Sequence, residues 1–248
     1  MKNHRKKYAM GYALEFAIFC IISALVSLIL IVPMLDLHLP QPSESAGMSR
    51  GEITVVLDAG HGGEDGGCEG GGLVEKDLNL DITLQVATLL REQGINVVLT
   101  RDTDTLLYDK NSDYEGKKKY QDVRRRLEIT AGQENPVLIS IHMNSFSQSK
   151  YSGLQVWYSK TDARSKKLAD LIQSNVKNEL QPNNKRVTKA ATSSIFLLHN
   201  ATFPAVLIEC GFLSNPNEAH LLSDPNYRQQ LANIIFRSIM TYISQNNT

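Results

Sequence analysis

Three nearly uninterrupted apolar runs, ITVVLD (residues 53–58), VLISIH (137–142) and AVLIEC (205–210), constrain the fold more than any other feature of the chain. Short runs of this kind, rich in Val and Ile and lacking polar alternation, are strands buried on both faces. INVVLTR (95–101) reads as another, and so does SIFLLH (194–199). GLQVWYS (153–159) alternates in the manner of an edge or antiparallel strand. Between the runs lie stretches with helical periodicity: residues 77–93, stopped by Gly94; 120–133; 162–180, stopped before Pro182; and 224–245. Strand and helix alternate throughout. The pattern predicts an α/β domain, a mostly parallel mixed sheet flanked by helices on both faces. The polar segment 102–119, with KNSDYEGKKK, reads as a surface loop.

The amino-terminal part has another character. Lys2, Arg5, Lys6 and Lys7 precede FAIFCIISALVSLILIVPML (16–35), about the twenty apolar residues that cross a bilayer. A basic flank of this kind stays cytoplasmic, so residues 1–35 are expected to form one transmembrane signal-anchor, with everything beyond on the outer face of the membrane. A cleaved signal peptide, giving a secreted protein, is the rival. Its apolar core is usually shorter, and Pro33-Met34-Leu35 is a poor cleavage site. Residues 36–51, rich in Pro, Ser and Gly, read as a linker, and 52–248 as the folded domain. With 42% of its 248 residues hydrophobic, the chain suffices for one well-buried domain and an appendage. Lys plus Arg balance Asp plus Glu at 26 each, so nothing in the overall charge points to nucleic acid. The basic clusters at 117–119 and 124–126 read as solvated surface charge, with a grip on anionic polymers as the competing reading. Cys68 and Cys210 read as free buried thiols rather than a bridge.

In open α/β sheets, sites gather at the carboxyl ends of the strands. Here one strand leads to Asp58 and His61, a second to His142 and Asn144, and a third to Glu209. Between Val55 and Asp77 the chain packs eight of its sixteen glycines, in VVLDAGHGGEDGGCEGGGLVEKD. A dinucleotide-binding turn would be shorter, and Glu64, Asp65 and Glu69 would repel phosphates. A metal reading fits better. Catalytic zinc takes three ligands from His, Glu, Asp or Cys and leaves a position for water. His61, Glu75 and His142 supply such a set if the glycines let the backbone bring Glu75 back beside His61. Glu209 is then left as a general base. Each residue alone has a plainer reading: a strand-end histidine can be a hydrogen-bonded structural group, and Glu75 can be an acidic residue favouring a helix start. Glu209 is harder to treat so, because a carboxylate at the end of PAVLI is costly to bury without a partner or a metal.

In order, VVLDAGHGGEDGG, LVEKDLNL, INVVLTRDTD, LISIHMNS and PAVLIECGFLSNPNEAHLL resemble the zinc-dependent N-acetylmuramoyl-L-alanine amidases of the third amidase family. The resemblance covers residues 53–243. It implies a mixed sheet flanked by helices, peptidoglycan as substrate, and hydrolysis of the amide between N-acetylmuramic acid and L-alanine. It implies one zinc ion on His61, Glu75 and His142, and catalysis by Glu209. Asp58 then orients His61 or caps a turn, Asn144 is a candidate for bonding substrate, and Arg101 and Arg126 serve salt bridges or substrate contact. A single catalytic domain with ECGFLSN at the catalytic strand is similar to the sporulation amidases of endospore-forming bacteria, which implies action on spore cortex and muramic-δ-lactam formation. Vegetative wall remodelling, a peptidoglycan-binding protein without turnover, and a zinc carboxypeptidase are the alternatives. The chain departs from the family at ITAGQ (129–133), where Ala-Asn is usual after the arginine matched by Arg126. It lacks a convincing autoinhibitory insertion, so control is expected from expression, metal loading or a regulatory protein partner.

Overall fold

The computed structural model describes residues 53–108 and 117–246. In chain order the elements are β1 (Thr54–Ala59), β2 (Glu69–Gly70), β3 (Leu73–Val74), α1 (Glu75–Glu92), β4 (Asn96–Leu99), α2 (Lys118–Ala131), β5 (Pro136–Asn144), β6 (Gln155–Tyr158), α3 (Ala163–Glu179), β7 (Lys189–Ala190), α4 (Phe196–Asn200), β8 (Ala205–Phe212), α5 (Pro216–Ser223) and α6 (Pro225–Asn246). The main sheet has the order β4-β1-β5-β8-β6-β7. β4, β1, β5 and β8 run parallel, β6 runs antiparallel to β8, and β7 is parallel to β6.

The strands are apolar on both sides because both sides are covered. Val55, Leu57, Ile139, Ile141, Val206 and Ile208 share one core with Ile82 of α1, Ile172 of α3 and Ile235 of α6. Val56, Leu138, Ala205 and Leu207 point the other way, toward Leu197 and Leu198 of α4, with Val123 and Leu127 of α2 packed alongside. Period-two alternation thus sorts each strand between two cores. On α1 the buried Leu78, Ile82, Val86 and Leu90 fall at helical spacing. Each such side chain contributes about 1.5–3 kcal/mol on burial, so this stripe rather than intrinsic propensity holds α1 in place. Cys68 and Cys210 are free thiols.

Several expectations change. The architecture expected was an α/β domain preceded by a transmembrane helix, and its second half is corrected: no helix among the described residues is long and apolar enough to cross a membrane. Even α6, with 22 residues, carries Arg228 and Arg237, the latter on the exposed face away from its apolar stripe, and is amphipathic. The predicted span, residues 16–35, lies outside the described residues, as does the linker 36–51. SIFLLH contains the short helix α4 and is no strand. A continuous apolar run this short does not distinguish a strand from one buried helical turn, and a single turn suffices to bury Leu197 and Leu198. β6 is antiparallel as anticipated, but β7 borders it on the outer side. Helix α5 was not anticipated. Its signal is present in the sequence: the Asn215 side chain accepts from the backbone N–H groups of Asn217 and Glu218, and Pro216 opens the helix.

Candidate metal centre

β1, β5 and β8 are adjacent and parallel, so their carboxyl ends, with the loop after β1, bring His61, His142 and Glu209 to one rim of the sheet. His142 and Glu209 are register partners. Glu75 arrives from the side as the first residue of α1, which makes it both a helix start and a member of the site. The loop that delivers it is folded. Gly62 and Asp65 form a backbone bridge, β2 pairs with β3 as a tight hairpin, and Glu75 N donates to Cys68 O at 2.9 Å. The return of Glu75 to His61 is therefore fixed by hydrogen bonds, where the glycine count suggested a flexible span.

Glu75 Oε1 is the hub. It lies 3.1 Å from His61 Nε2 and 3.0 Å from His142 Nδ1, and it accepts the backbone N–H of Met143 at 3.0 Å. Its other oxygen accepts the N–H of Cys68 at 2.9 Å. Burial would raise the Glu75 pKa, yet the hydrogen bonds and charges of His142 and His61 hold it far below the usual carboxylate range. For His61 burial acts downward, and the carboxylates of Glu75 and Asp65 more than offset it, raising its pKa. One ligand atom from each of His61, Glu75 and His142 lies within 4.8 Å of the others, and this group can hold a metal ion. Two histidines and one glutamate are a donor set of catalytic metal sites.

Two glycines are required by proximity. A Cβ at Gly60 would overlap the ring of His142. At Gly67, where φ is +74°, it would stand 2.5 Å from Glu75 Oε2. Both ligands rest against bare backbone.

Glu209 differs from the three. It lines, with His61 and His142, a cleft of about 270 Å³ to which Val123, Ile195, Phe196 and Leu197 contribute apolar surface. Its Oε2 is buried without a hydrogen-bond partner. Burial first, and the charge of Glu75 second, push its pKa up to about 8, against the opposing pull of His61 and Arg186.

Behind the centre, Asp58 makes no hydrogen bond to His61. Its carboxylate accepts from Thr100 Oγ1 at 2.6 Å, Ser140 Oγ at 2.6 Å and Arg126 Nη1 at 2.7 Å. Arg126 in turn donates to the carbonyls of Ala59 and His61, both at 2.6 Å, and to Asp122 at 2.7 Å. Asp58 thus reaches His61 only through Arg126 and the backbone. This matters because His61 has a positive φ of 61°, a conformation that must be held by its surroundings in a residue with a side chain. Arg101 donates to the carbonyls of Ala59, Gly60, Lys76 and Thr103. Both arginines are buried and engaged with the β1 exit, where they brace the fold; Arg126 also lines the cleft, whereas Arg101 does not. Asn144 ends β5 half-buried, its carbonyl accepting from Leu213 N at 2.9 Å and its side chain making no hydrogen bond among the described residues.

The sequence reading missed four contributors. Asn79, fully buried one turn after Glu75, donates to Gly60 O at 3.1 Å and lies 3.4 Å from Glu75 Oε1; its i,i+4 spacing was the available signal. Asp65 approaches His61 Nδ1 to 2.9 Å. The Cys68 and Met143 N–H groups, being backbone, leave no trace in residue identity.

The sequence matches the N-acetylmuramoyl-L-alanine amidase family over residues 55–241. The germination-specific N-acetylmuramoyl-L-alanine amidase of Bacillus subtilis is 38% identical over 191 residues, spanning 77% of this chain and 80% of that protein. Among solved structures, the CwlD amidase of Clostridioides difficile, determined in complex with the GerS lipoprotein, superposes with a TM-score of 0.73 at 40% identity, covering 78% of this chain and 99% of that one. A further N-acetylmuramoyl-L-alanine amidase, from Clostridium difficile 630, gives a TM-score of 0.69 at 30% identity over 79% of this chain and 99% of that one. On these grounds the chain belongs to the N-acetylmuramoyl-L-alanine amidase family and is a cell-wall amidase, one that acts on peptidoglycan outside the cytoplasm.

Proposed function

We propose that residues 52–248 form a zinc amidase domain in which His61, Glu75 and His142 hold one zinc ion and Glu209 is the general base, and that its substrate is spore-cortex peptidoglycan. The observation that carries the site assignment is the contrast between a three-donor cluster around Glu75 Oε1 and a buried carboxylate oxygen beside it that no protein group satisfies. The chemistry zinc supplies when bound is polarisation of the scissile carbonyl and a lowered pKa for a water.

The remaining work falls to the chain. Glu209 Oε2 faces no competing donor, so it is free to accept the proton of the attacking water. Burial makes that carboxylate a stronger base than a solvated one, and the same oxygen then returns the proton to the departing alanine nitrogen. The N–H groups of Cys68 and Met143 hold the Glu75 carboxylate while its histidine partners face the cleft. Arg126 fixes the backbone of His61. Val123, Ile195 and Phe196 give the cleft an apolar lining that limits water around the site.

The cortex assignment rests on the germination-specific relative and on the CwlD structure. That relative's complex with a lipoprotein also supports a regulatory protein partner for this chain. The test is mass spectrometry of products from spore cortex and vegetative peptidoglycan side by side, with metal content measured on the same protein. We expect stem peptides bearing a free L-alanine amino group, released faster from cortex. A metal-loaded protein that releases no such peptide from either material would sink the amidase mechanism; equal rates on both would sink the cortex assignment. Free D-alanine as the product would indicate a carboxypeptidase instead.

A further inference from the structure

Beyond Glu209 the end of β8 changes parity. His142 pairs with Glu209, but two residues further along β5 Asn144 pairs with Phe212, three residues on from Glu209. One extra residue in β8 forms a bulge, and a bulge turns the following side chains over. The packing agrees. Before the bulge Val206, Ile208 and Cys210 belong to the core beneath α1, α3 and α6; after it that core takes Leu213. Phe212 is thereby returned to the face that carries Glu209, roughly 7 Å further along by the two-residue rise of β5 from His142 to Asn144.

On Phe212 stands a small aromatic structure. The Tyr151 ring lies 6.5 Å from it, tilted by 31°, and the Phe146 ring meets Tyr151 edge to face at 4.9 Å. The Arg186 guanidinium lies 4.4 Å from the Phe212 centroid and donates to Gln155, the register partner of Glu209 on its other side. Phe212 is buried, whereas Phe146 is 51% exposed and Tyr151 37% exposed. The loop holding the two outer rings is tied down: Phe146 N donates to Ser214 Oγ at 3.0 Å, and Asn215 Nδ2 to Tyr151 O at 3.2 Å. Two exposed aromatic rings on an anchored loop have no packing role that requires their exposure.

We propose that Phe146 and Tyr151, seated on Phe212, form a saccharide-binding platform that takes sugar rings of the glycan strand next to the muramic residue being cleaved. This rests on the amidase reading, because in that reaction the scissile amide hangs from a sugar and the polymer must run past the site. Pyranose rings present apolar C–H faces that stack on aromatic rings, and their hydroxyls suit a rim bearing cations such as Arg186 and Lys150. Two rings are too small a patch for a stable protein interface, which covers about 800 Å² on each partner. They match one or two sugars.

The test compares KM on peptide-bearing glycan strands with KM on a single muramoyl-peptide, using the full chain. Phe146→Leu combined with Tyr151→Leu keeps apolar bulk and removes both ring faces. We expect the ratio of the two KM values, polymer over fragment, to rise about tenfold. Phe146→Tyr combined with Tyr151→Phe keeps the rings and is expected to keep the wild-type ratio. An unchanged ratio in the leucine variant overturns the proposal, as does an equal rise in KM on both substrates. Turnover of either substrate by the unaltered chain leaves the amidase reading standing when this one fails.

Discussion

Asp58 and Glu209 are both carboxylates toward the carboxyl ends of parallel buried strands that flank β5, and the protein treats them in opposite ways. Asp58 is closed off by three donors, and although burial favours its neutral form, Arg126, Ser140 and Thr100 bring its pKa down to about 2. Glu209 has a buried oxygen with no donor at all, and its pKa rises to about 8. Saturation of a buried charge marks a part that must not move. On the mechanism proposed above, a carboxyl left open is the part that exchanges a proton, at a cost in stability that the rest of the fold offsets.

The contrast is testable, from the largest effect to the smallest. Glu209→Gln is expected to lower stem-peptide release by about 10²–10⁴-fold while leaving thermal stability the same or higher, since an unsatisfied carboxylate is removed; a drop in melting temperature would show that Glu209 is structural after all. Asp58→Ala is expected to cost about 1.5–3 kcal/mol in denaturant unfolding, because it removes one of the two carboxylates paired with the buried Arg126 and leaves the Thr100 and Ser140 hydroxyls without their acceptor. Unfolding within 1 kcal/mol (roughly) of the parent would remove the distinction drawn here.

Gly60→Ala pushes a methyl into the His142 ring and is expected to weaken metal binding about 10–100-fold in calorimetric titration, with the fold retained. The two carboxylates should also tilt stability against pH in opposite directions. Asp58 titrates near 3.8 when unfolded and at about 2 in the fold, so its stabilisation is complete above pH 3.8 and is lost, by about 2 kcal/mol, as pH falls through 2. Glu209 moves from 4.5 to about 8, so the folded state keeps a proton the unfolded chain has released, and chelator-treated protein should lose stability as pH rises between those values. Glu209→Gln should flatten that upper limb and leave the lower one intact.

Much of this was legible before the structure. The buried strands announced themselves as apolar runs, and His61, His142 and Glu209 could be placed at strand ends without coordinates because parallel strands align their carboxyl ends. Glu75 was legible only as one of two readings; the helix does begin on it, and the same residue stands in the cluster with His61 and His142. The pairing of Asp58 with Arg126 was hidden by 68 residues of separation, which no periodicity spans. The hairpin in the glycine segment was hidden too, because its register is set by backbone hydrogen bonds. SIFLLH misled for want of length.

Cys68 and Cys210 give the centre its remaining character. Both thiols lie close enough to feel the charges of Glu75 and Glu209, and both are shifted well above the usual thiol range, first by burial and then by those charges. They stay protonated, with Cys68 Sγ turned to Asn144 O and Cys210 Sγ to Ile208 O. Position rather than protonation keeps the sulfurs apart from the cluster, which among the described residues groups His61, Glu75 and His142 alone. On the zinc reading proposed above, a fourth protein donor would complete a tetrahedron of the kind that only holds a fold together, and three donors leave room for the water that hydrolysis consumes.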